Sequence, residues 1–195
     1  MNPYVLAGVL AGLLNIATYF AYIKGTIQNQ IIPHRITFLL YSVLNLLFLI
    51  NQISNKGGYS IVFPLSGTFL AASVFCLSIK KGIGGSTNFD KLVLAAALLL
   101  LVLRGLSHDA RTTTILGVMV DFVATFPTVI KVYRMPRSEK YITWILSSMS
   151  AFVSILAIEN HDYILYVFPA YVIAMNLTVM LVKKVSHSKQ SKVVS

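Results

Sequence analysis

Seven apolar stretches, each of about the length that crosses a lipid bilayer, account for most of this 195-residue chain. They run over residues 4–23, 36–53, 61–79, 89–106, 114–133, 141–158 and 163–182. At 1.5 Å of rise per residue, about 20 helical residues match roughly 30 Å of hydrocarbon. Inside that layer the backbone must satisfy its own polar groups, which apolar runs of this length do as helices. The chain therefore reads as an all-α integral membrane protein with seven transmembrane helices. Composition agrees: charged residues make up 11% of the chain, against about 25% in an ordinary soluble domain.

The fourth stretch is the least secure of the seven. Its unbroken run, "LVLAAALLLLVL", is short, and Lys91 and Arg104 at its ends are expected to snorkel toward the head groups. The first stretch lacks a basic leader and exceeds the usual length of a secretory signal, so it is read as a spanning helix. Cys76 is the single cysteine and lies inside the third stretch, which excludes an internal disulfide. Asn176-Leu-Thr178 matches a glycosylation sequon but falls within the seventh stretch.

The net charge of +10 is unevenly placed. With seven spans, alternate loops fall on opposite sides. Lys56, Arg104 and Arg111 lie on the N-terminal side, and the other 13 basic residues lie on the opposite side. Basic residues collect on the cytoplasmic side of such proteins. The N-terminus is therefore expected outside and the C-terminus in the cytoplasm. The same distribution accounts for the charge without nucleic acid as a partner.

An internal echo gives the organisation. "ATYFAYIK" at 17–24 returns as "ATFPTVIK" at 124–131, "ITFLLYS" at 36 as "ITWILSS" at 142, and "VFP" at 62 as "VFP" at 167. The order is kept and the offset drifts only from 107 to 105. The chain reads as a three-helix unit used twice: residues 1–82 and 111–184, with a linker helix over 83–110 and a disordered basic tail over 185–195. Three helices end on the side opposite their start, so one additional helix is needed to give both units the same orientation. The linker run has no polar residue, which suits a helix facing lipid over most of its circumference.

This arrangement, two parallel three-helix bundles joined by a linker helix (3+1+3), resembles the SWEET and PQ-loop superfamily, and the resemblance covers residues 4–184. Its most specific element is Pro127-Thr128 in "DFVATFPTVIKVYRMPRSEKYITW", standing where that family's helix carries Pro-Gln. Thr128 replaces the glutamine, and the first unit has Phe20-Ala21 at the corresponding place. The resemblance implies alternating-access movement of a small solute, and it implies that Asn176, in the last helix, holds substrate.

Polar residues within the apolar stretches form stripes at helical spacing. These are Asn15, Thr18 and Tyr22; Tyr41 and Asn45; Ser66 and Ser73; Asp121, Thr125 and Thr128; Ser147, Ser150 and Ser154; and Asn176. Stripes converging between two bundles would line a hydrated cavity, although small polar residues also join helices directly, as the Gly8-x-x-x-Gly12 spacing does. The substrate-binding candidates are Asp121, Asn176, Asn45, Ser73, Ser150 and Thr125. Asp121 is the sharpest of them, lying about 10 Å inside its helix by the helical rise. A charge there costs several kcal/mol unless it meets water, a partner or a proton. That makes Asp121 the candidate for proton coupling or for holding a solute's donor group, with pairing to Arg104 or Arg111 as the structural alternative. Pro127, Pro64 and Pro169 are the candidate hinges, each removing a backbone donor from a helix. Trp144, four residues into its helix, reads as an interfacial anchor.

Other classes fit poorly. The seventh stretch has no lysine for a retinal Schiff base, and His34, His108, His161 and His187 are scattered without metal-ligand spacing. No histidine accompanies the serine-rich sixth helix as a hydrolase would need, and "GIGGS" follows no strand. The expected function is transport of a small polar solute such as a sugar, amino acid or vitamin-like compound, with no enzymatic chemistry, cofactor or metal. The alternative is a non-transporting receptor or assembly partner of the same fold. The expected setting is the cell (inner) membrane, with lipid and solute as partners and homo-oligomerisation left open.

Overall fold

The computed structural model of the protein describes residues 2–54, 62–107, 109–158 and 163–194. Lys56, His108 and His161 lie outside these residues. The described chain is all-helical. Its helices are α1 (Pro3–Ile27), α2 (Arg35–Ser54), α3 (Val62–Lys81), α4 (Asn88–Leu106), α5 (Ala110–Arg134), α6 (Tyr141–Leu156) and α7 (Tyr163–Val194), with a 3-10 turn at Pro136–Ser138. Each expected apolar stretch falls on one helix. Three helical segments, Pro3–Ile27, Arg111–Arg134 and Tyr163–Lys189, are long and apolar enough to cross a membrane, and Arg35–Leu47 and Tyr141–Leu156 are shorter apolar segments.

Local chemistry sets the helix starts. The Asn2 side chain accepts from the Tyr4 amide at 3.0 Å and Pro3 occupies the first turn, where its missing donor costs nothing. Thr87 and Asp90 form a reciprocal capping box at α4. Asp109 accepts from the Thr112 amide at 2.7 Å at the start of α5.

The helices pack in the same form in both halves. α3 packs against both α1 and α2, and α7 packs against both α5 and α6. Across the middle, α1 meets α6 and α2 meets α5. Buried hydroxyls mark these crossings: Ser150 Oγ donates to the Ala11 carbonyl at 2.8 Å, Thr37 Oγ1 donates to the Ala124 carbonyl at 2.7 Å, and Thr128 Oγ1 donates to Thr37 Oγ1 at 3.1 Å. The linker helix α4 packs on α5 and, lightly, on α2. Its stripe Asp90, Val93, Ala97 and Arg104 is buried, whereas Leu92, Leu98, Leu99, Val102 and Leu106 are exposed.

Three expectations change. Arg104 does not snorkel outward but is buried with 6% exposure, because it sits on the packed stripe of α4 and not on its lipid side. The tail is not disordered from residue 185, since α7 continues to Val194. Ser186 is buried and donates to the Tyr133 carbonyl, and Lys189 lies 6.0 Å from the Tyr133 ring centroid, so α5 supports the extension. Pro64 occupies the third position of α3, a first-turn site where no intrahelical bond is lost. Pro127 and Pro169 are interior and remove the bonds to the carbonyls of Val123 and Leu165.

Candidate functional site

Between the two halves lies a cavity of about 130 Å³. From the first half, α1 contributes Asn15, Thr18, Tyr19 and Tyr22, and α2 contributes Phe38, Tyr41 and Asn45. Across from them stand Asp121 and Thr125 of α5, Thr143, Trp144 and Ser147 of α6, and Phe168, Val172, Met175 and Asn176 of α7. Members of the stripes on α1, α2, α5, α6 and α7 thus meet at the cavity, whereas Ser66 and Ser73 of α3 do not line it, and aromatic rings fill the intervals.

Hydrogen-bond capacity in this cavity exceeds what the protein uses. Asn176 Nδ2 donates to Ser147 Oγ at 2.9 Å, Asn45 Nδ2 to the Tyr41 carbonyl at 2.8 Å, and Asn15 Nδ2 to Ser66 Oγ at 3.4 Å. Each side-chain amide has four hydrogen-bonding positions. One is engaged in each case among the described residues.

Asp121 is under-supplied in the same way. Tyr171 donates to its Oδ2 at 2.9 Å. Thr125 Oγ1 lies 2.7 Å from the Asp121 carbonyl but 3.4 Å from Oδ2, and 2.6 Å from Tyr41 OH. A hydroxyl has one proton to give, and the Asp121 carbonyl and the Tyr41 hydroxyl are both nearer to Thr125 than Oδ2 is. The carboxylate keeps a single short donor, and Oδ1 has none among the described residues.

Behind Tyr22, toward the loops rich in lysine and arginine, lies a second cluster. The Tyr22 hydroxyl donates to Glu139 Oε1 at 2.7 Å, and Lys131 Nζ pairs with the same oxygen and donates to the Ile32 carbonyl. Glu139 is 1% exposed and Lys131 3%. Lys183 Nζ donates to the carbonyls of Pro136 and Glu139, and the Ile32 amide donates to the Ser138 carbonyl at 2.9 Å. The cluster ties α1, the loop after α1, α5, the 3-10 turn and α7 together at one end of the cavity.

A third polar contact joins His34, in the loop before α2, to Asp90 in the first turn of α4. His34 Nε2 is 3.4 Å from Asp90 Oδ1 and is buried against Gly84, whose φ of +86° and lack of a Cβ make room for the ring. Burial of the imidazole outweighs the neighbouring carboxylate and lowers its pKa to about 4.

Of the sequence candidates, Asp121, Asn176, Asn45 and Thr125 meet at the cavity. Ser150 lines a smaller space of about 60 Å³ with Ser147, Asn15 and Pro169, its hydroxyl joining α6 to α1. Ser73 is not brought to the site; it is exposed and donates to the Phe69 carbonyl at 2.8 Å within its own helix. Trp144 faces the cavity and is not merely an interfacial anchor. Missed altogether were Tyr19, Phe38, Phe168 and Tyr171. Tyr19 follows Thr18 on the α1 stripe, and Phe168, Val172 and Asn176 share spacings of four, so periodicity could have found them. No protein-family model, curated protein or solved structure matches the chain.

Proposed function

We propose that this protein is a seven-span SWEET-like carrier of a small polar solute, with its N-terminus outside, its C-terminus in the cytoplasm and its binding site between two three-helix units. The observation that carries this reading is the cavity at the junction of the halves, lined by three amides and a carboxylate whose bonding capacity is largely unused by the protein. Solute groups would complete that bonding. Asp121 is the residue placed to take either a coupling proton or a solute donor. Pro127 and Pro169 loosen the helices that carry Asp121 and Asn176, which suits rocking of one unit against the other.

The buried cluster around Glu139 supports a second reading. A cavity closed permanently at that end is a receptor pocket open to one side only. Met175 lines the cavity without a polar role, so Met175→Cys in a Cys76→Ser background separates the two. A carrier is expected to react with a membrane-impermeant thiol reagent in both right-side-out and inside-out vesicles. Labelling from one face alone would favour the receptor.

A further inference from the structure

The cavity is charged in one sense only. Among the described residues Asp121 is its one carboxylate, and no described lysine, arginine or histidine lines it. Lys131, a cation near its end, is committed to Glu139 and the Ile32 carbonyl. A partly buried carboxylate supplied with a single short neutral donor has less compensation than buried charges ordinarily have. The open oxygen, Oδ1, is where that compensation is missing.

The rest of the lining fits the same requirement. Tyr19, Tyr41, Trp144 and Phe168 border the same space, and aromatic faces attract cations through the ring quadrupole, most strongly where water is excluded. A neutral sugar could donate hydroxyls to the carboxylate but would leave its charge unpaired, and an anion would be repelled by it. Size sets the other limit, since a cavity of roughly 150 Å³ holds benzene and this one measures about 130 Å³. We infer that the cavity binds a small organic monocation, an ammonium or alkylammonium compound, with its nitrogen at Asp121 Oδ1 and its polar remainder toward Asn176. The inference rests on reading this cavity as the solute site, and not on whether both ends open.

Choline, ethanolamine and tetramethylammonium are the probes, with 3,3-dimethyl-1-butanol as the uncharged isostere of choline. Thermal unfolding of the detergent-purified full chain reads binding, because a ligand of the folded state raises the melting temperature. Trp144 is the chain's single tryptophan, so its fluorescence reports from the cavity itself. At least one cation is expected to give a saturable upward shift and a fluorescence change, and the isostere neither. Asp121→Asn should weaken the cation at least about tenfold, and Asp121→Glu should retain more of its binding.

The inference is overturned if the isostere matches choline, if Asp121→Asn binds the cation undiminished, or if none of the cations binds. Should the asparagine variant not fold, the comparison of choline with its isostere on the parent chain still decides. Because Met175→Cys labelling uses no ligand, the carrier reading and the cation inference can fail separately.

Discussion

A single residue's fate depends on whether its surroundings can be inferred from its neighbours in sequence. Asp121 was legible because a lone carboxylate in an apolar stretch needs compensation whatever its partners are. Glu139 was not, because it sits in "RMPRSEKY" among arginines and lysines and reads as solvated; its burial depends on Tyr22, 117 positions away. His34 is a milder case, since a histidine before a helix gives no sign that Asp90 and Gly84 will enclose it. Its folded-state pKa near 4 lies below the usual value of about 6.5. The unfolded chain therefore binds more protons between those values, and this group's stabilisation is complete above about pH 6.5 and lost as pH falls toward 4. Relative to the parent, His34→Gln should show a flatter fall of melting temperature with pH across that window. Parallel pH profiles for the two proteins would mean that His34 is not held neutral by the fold.

Elements were the most legible level. Long apolar runs fix where helices exist, but not where they begin: the fifth run starts at 114, whereas α5 starts at Ala110, capped by Asp109. What periodicity could not give was the extension of α7, because "SHSKQSK" is polar on every face and its support comes from Tyr133 on α5. It also could not give the junction where α1, α5, α7 and the 3-10 turn are joined through Glu139. Removing one member of a buried ion pair leaves its partner's charge uncompensated, typically at about 3–5 kcal/mol. Glu139→Gln is accordingly expected to destabilise the detergent-solubilised protein by about that amount. The double change Glu139→Leu with Lys131→Met should cost less than the single one, because an apolar pair leaves no charge behind. A double variant weaker than Glu139→Gln would show that the junction is held by its shape and its bonds to Tyr22 and Ile32, not by charge balance.

At the scale of the whole molecule, the echoed phrases at 17 and 124 correspond to equivalent places in the two halves, α1 against α6 and α5 against α2. Sequence repetition could suggest two like units but not which helix of one would face which helix of the other, since pairings between units depend on surfaces far apart in the chain. Orientation is the prediction that belongs here. A tag fused before Met1 should be lost to protease added outside intact cells, and a tag after Ser195 should survive until the cells are opened; the reverse pattern would invert the assignment of every loop.

The junction beneath Tyr22 has one more consequence. A hydrophobic plug gains nothing from the water it admits on parting, so its opening is opposed throughout. Lys131 and Glu139 differ, because ions regain hydration as they separate, and that gain offsets the contact they lose. Under the carrier reading, such a closure would cost less to part than an apolar plug in the same place.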